Sequence, residues 1–138
     1  MVLDFSSQKD AASPAKAVVD GLRRTAWISD PSVSFLHYLG LGTADGRLYH
    51  IAAIQLCTGL RGPYATMAVR SITLFGSKEV EPSRTLFLLG NYTLSQRRRC
   101  HRLTFAEQTM RLLVVQINQS AGDSAALVAE VTSYGEKR

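Results

Sequence analysis

Four arginines, Arg97, Arg98, Arg99 and Arg102, fall within six positions, interrupted only by Cys100 and His101. No aspartate or glutamate lies between Glu81 and Glu107, so nothing nearby in sequence neutralises them. A guanidinium group is permanently charged and presents a rigid fork of N–H donors that grips oxyanions two bonds at a time. Such crowding predicts a docking surface for polyanions, either nucleic-acid phosphates or anionic lipid headgroups. Arg23, Arg24, Arg61 and Arg70 would enlarge the patch if the fold gathers them.

The remaining reactive residues are too scattered for catalysis. His37, His50 and His101 belong to three different segments, with no HxxxH or HxxE spacing for a metal. Asp20, Asp30, Asp45, Glu79 and Glu81 mark turns and linkers and do not form an acid–base pair. Cys57 and Cys100 stand far apart, outside any CxxC or zinc-ribbon spacing, and are read as two reduced thiols. Arginine and histidine beside Cys100 would favour its thiolate, but no third group orients it. The glycines of Gly40-Leu41-Gly42-Thr43-Ala44-Asp45-Gly46 miss the dinucleotide spacing, because the third arrives at 46 and not 45. The segment is read as a plain turn. The chain is therefore expected to be no enzyme, and to need neither cofactor nor metal.

The elements that would position the arginines are read from periodicity. Residues 1–13 look loose, and a single domain is expected over 14–138. Ser13-Pro14 suits the start of a helix carrying Ala15, Val18, Val19 and Leu22, although the β-branched pair Val18-Val19 leaves a strand open. Val33 to Leu39 alternates as a strand. Leu48, Ile51, Ala52, Gln55 and Leu56 recur at helical spacing, closed by Gly59. Residues 63–75 fit a second helix or an extended run. Beyond Arg84 the pattern is β, in runs near 84–94, 102–106, 110–118 and 125–134. Short separators favour antiparallel pairing. The expected fold is α+β: a C-terminal antiparallel meander packed on helices from the middle of the chain, with the arginines at a hairpin tip. Leu86 to Leu89 and Leu112 to Val115 are apolar on both faces, which suggests a subunit interface or a membrane-facing patch.

With 138 residues and 46% apolar content, the chain can close a core without disulfide staples. Its net charge of +5 bears on partners and not on fold. The first residues lack a basic segment followed by an apolar one, and no apolar run is long enough to span a membrane. The expected location is the cytoplasm, without secretion, so Asn91-Tyr92-Thr93 and Asn118-Gln119-Ser120 would go unglycosylated.

The basic middle stretch Arg47 to Phe75 is followed by Ser83 to Leu89, a turn, Leu103 to Ser120, and a last strand near Tyr134. This order resembles the C-terminal core of matrix proteins of non-segmented negative-strand RNA viruses, of the rhabdovirus and bornavirus kind. The resemblance covers roughly the last ninety residues and implies a non-enzymatic structural protein that forms homo-oligomers and drives virion assembly. It implies a peripheral position at the membrane, in virion and host cytoplasm. The partners would be anionic lipid and viral RNA or nucleoprotein, with no small-molecule substrate. PPxY and PTAP motifs are missing, and Tyr38-Leu39-Gly40-Leu41 fits YxxL only inside an expected strand. A soluble RNA-binding regulator, such as a viral silencing suppressor, is the second reading. A small α+β enzyme or ligand carrier is the third.

Overall fold

The computed structural model describes residues 2–5, 7, 15–19, 27–30, 32, 36–43, 45–58, 67–80, 85–95, 98–122 and 126–137. They form nine strands: β1 (Val2–Phe5), β2 (Trp27–Ile28), β3 (His37–Gly42), β4 (Tyr49–Thr58), β5 (Val69–Ser77), β6 (Phe87–Thr93), β7 (Cys100–Met110), β8 (Leu112–Ser120) and β9 (Leu127–Lys137). Among the described residues, helical conformation is confined to a short 3-10 turn, Ala15–Val19, and to Met67. One sheet has the order β1-β3-β8-β5-β6 and the other β2-β9-β4-β7. Every strand pair within them is antiparallel. The fold is an all-β sandwich, not α+β.

The expected middle helices are strands, and β4 shows why they misled. Relative to β9, β4 carries an extra residue between Ile51 and Ala53. That bulge shifts the alternation, so Ile51 and Ile54 both enter the main core although they are three apart. A spacing of three followed by two imitates a helix. Residues 69–77 form β5, so the extended alternative for 63–75 holds over 69–75.

The C-terminal runs are strands, as expected, but they do not form a meander. β6 and β8 lie in the five-stranded sheet, β7 and β9 in the other, so the chain crosses the sandwich at each connection. The polar stretch Ala106-Glu107-Gln108-Thr109 is no turn. It lies inside β7, where the register against β4 slips between the Ile51–Gln108 and Ala53–Thr104 pairs. The turn is Arg111 alone, between Met110 and Leu112. Val2–Phe5, read as loose, pair with β3. Tyr38 to Leu41 do lie within a strand.

Leu39, Ile54, Leu56, Ile72, Leu74, Val115 and Ile117 fill the space between the sheets with Trp27, whose indole N–H donates to the Ser7 carbonyl (2.7 Å). Burial of this apolar surface is the main favourable term in folding. On the central strand β8, Val114 and Val115, which face opposite sides, are both buried without a partner subunit. Leu86 and Leu88, beside and on the edge strand β6, remain exposed.

The registers place both ends of the described chain together. Val2 pairs with Leu41, and Tyr49 with both Met110 and Lys137. At the opposite end stand His37, Thr58, Val69, Thr93, Cys100, Ser120 and Leu127, the strand ends from which the connections at 29–36, 59–67, 94–99 and 121–126 depart.

A candidate binding end built from pinned connections

The bases of those connections are tied to one another. Thr58 is buried, and its hydroxyl donates to the Leu127 carbonyl (2.6 Å) while accepting from Val69 N–H (2.9 Å). Its own N–H donates to the Arg99 carbonyl (2.8 Å). One residue thus joins the ends of β4, β5 and β9 through its hydroxyl and the approach of β7 through its N–H. Leu94 N–H donates to the Arg70 carbonyl (2.6 Å), and Ser29 and Ala126 exchange bonds through N–H, carbonyl and Ser29 Oγ (2.8–3.0 Å). The Asp30 carboxylate accepts from both N–H and Oγ of Ser32, which holds it below the usual carboxylate range.

A disulfide lies beneath this end. Cys57 and Cys100 are opposite each other on β4 and β7 and are bonded, which corrects their reading as reduced thiols. They sit in a small second apolar cluster with Ile28, Leu127, Ala129 and Met67. Two cysteines separated by 43 positions carry no pairing signal by themselves. Only the strand register brings them together.

The arginines divide. Arg98 and Arg99 are exposed at the tied end, in the connection that carries the chain from one sheet to the other, not at a hairpin tip. Arg70, the second residue of β5, stands at the same end and is half-buried, with its Nε enclosed and without a hydrogen bond. Arg102 has moved along β7 to the outer sheet face, its guanidinium 4.8 Å from the centre of the Tyr134 ring. Tyr134 in turn donates to Gln55 Oε1 (2.7 Å), an arrangement that periodicity did not suggest. Arg97, Arg61, Arg23 and Arg24 lie outside the described residues. His101 Nε2 donates to the Arg98 carbonyl (2.9 Å). Burial lowers the imidazole pKa, with the Arg98 charge acting in the same direction against that hydrogen bond.

No protein-family model matches the sequence, and no curated protein matches it. Solved structures do share its shape. The third family 32 carbohydrate-binding module of a family 31 glycoside hydrolase from Clostridium perfringens aligns with a TM-score of 0.84 at 15% identity, over 98% of this chain and 90% of that one. The chain shares the β-sandwich fold of that module. The family 32 module of C. perfringens NanJ, solved with galactose, gives 0.79 at 16% identity over 94% and 90%. The second chitosan-binding module of a Paenibacillus sp. IK-5 chitosanase/glucanase, solved with chitotriose, gives 0.80 at 18% over 96% and 94%.

These matches overturn the viral matrix resemblance. It rested on strand lengths and apolar positions, which many antiparallel sheets satisfy, and it needed helices where β4 and β5 stand. Virion assembly goes with it, and the same neighbours, solved with sugars, also count against the second reading as an RNA-silencing suppressor and against homo-oligomer, lipid and RNA partners without a small-molecule ligand. The expected absence of catalysis agrees, at the level of fold, with neighbours that are binding modules.

Proposed function

We propose that this chain is a non-catalytic carbohydrate-binding domain that takes its ligand at the end opposite its termini. The observation carrying this reading is the full-length likeness to modules solved with galactose and with chitotriose. The tied connections supply the rigid frame that positioned sugar-binding side chains require. Arg98 and Arg99 give that end a chemistry of its own. Guanidinium forks suit carboxylate or sulfate, so the favoured ligand is an acidic saccharide. In sequence the flanking connections add Arg61, Tyr64 and Arg97. The disulfide supports an oxidising compartment in place of the cytoplasm.

Titration calorimetry against oligogalacturonate, a sulfated oligosaccharide, galactose and chitotriose tests the proposal. Acidic saccharides should bind, more weakly as salt rises, and replacing Arg98 and Arg99 by Ala should weaken them about tenfold, as expected for lost charge-assisted bonds. Failure of every saccharide to bind would refute a carbohydrate-binding role. Binding of neutral sugars alone would remove the arginines from it.

A further inference from the structure

At the end that gathers the termini, a cavity of about 210 Å³ opens between the sheets. Its apolar walls include Leu41, Ile51, Leu113 and Val131, all buried. Its polar lining includes Arg111 and Thr43. Arg111 is the single-residue corner between β7 and β8. Its backbone is fixed on both sides, with N–H donating to the Ser77 carbonyl (2.9 Å) and its carbonyl accepting from Thr43 N–H (3.1 Å). The side chain is half-buried, and its Nε is enclosed without a hydrogen bond. No acidic side chain is among the described residues lining the cavity.

A buried donor on a charged group without a partner is costly, and a cavity at its side is where a partner would enter. An apolar cavity of about 150 Å³ already admits benzene, so this one has space for a ring and a carboxylate. We propose that the cavity is a second binding site, for a small monocarboxylate with an apolar body, whose carboxylate pairs with Arg111 while the body lies against Leu41, Ile51, Leu113 and Val131. This site is independent of the carbohydrate reading, since it lies at the other end of the molecule and involves neither Arg98 nor Arg99.

The test is an amide NMR titration of the whole chain with benzoate, benzyl alcohol and acetate. Benzoate should move the signals of Thr43 and of Met110 to Leu113. Benzyl alcohol, without the charge, and acetate, without the ring, should each bind at least tenfold more weakly. Arg111→Gln should reduce benzoate affinity about tenfold and leave benzyl alcohol unchanged. Equal affinities for benzoate and its alcohol would overturn the role of Arg111. Shifts confined to Arg98 and Arg99, or none at all, would overturn the site. If Arg111→Gln fails to fold, the three-probe comparison on the unaltered protein still decides.

Discussion

Thr58 carries more of the binding end than its size suggests. Its hydroxyl serves one buried donor and one buried acceptor from two other strands. Thr58→Val keeps the shape and strands both, so unfolding free energy should drop by about 2–4 kcal/mol, read by denaturant titration of the sole tryptophan, Trp27. Arg98 and Arg99 should behave oppositely. Both are exposed, so replacing them by Ala should leave the unfolding midpoint nearly unchanged while saccharide binding falls. His101 adds a pH dependence with a defined sign. Its folded pKa lies below 6.5, so the unfolded chain binds more protons in that window. Its contribution is complete above about pH 6.5 and declines as pH falls through 6.5 toward the folded value. Thermal unfolding from roughly pH 7 to 5 should therefore show a shallower loss in His101→Gln than in the unaltered chain.

At the scale of elements, the disulfide joins the centre of one sheet to its edge, since β7 pairs only with β4. Replacing Cys57 and Cys100 together by Ala should destabilise the fold by about 2–4 kcal/mol, and the unreduced, unfolded protein should take up no thiol reagent. The same elements show what the sequence reveals. The β character beyond Arg84 is legible because β-branched and aromatic residues recur between polar separators. β4 is not, because its bulge puts Ile51 and Ile54 on one face at helical spacing. Nor is the corner at Arg111, hidden between Met110 and Leu112 while the polar bulge of β7 looks like a turn. At the site, the concentration of charge at Arg98 and Arg99 is legible as composition. The separation of Arg102 from them is not, since it follows from strand direction, which places that side chain against Tyr134.

For the whole molecule, the sandwich separates two ends with different chemistry. One gathers the described termini and encloses the Arg111 cavity. The other ties its strand ends through Thr58 and displays Arg98 and Arg99. A basic surface alone suggests lipid or nucleic acid. We propose instead that this one takes sugars bearing carboxylate or sulfate. Amide NMR titration with an oligogalacturonate tests that claim most directly. The account predicts saturable shifts at Leu94, Ser95, residues 98–101, Leu36, Met67 and Ala126, all on the tied end. Shifts clustered around Thr43 and Arg111, or no shifts at saturating saccharide, would contradict it.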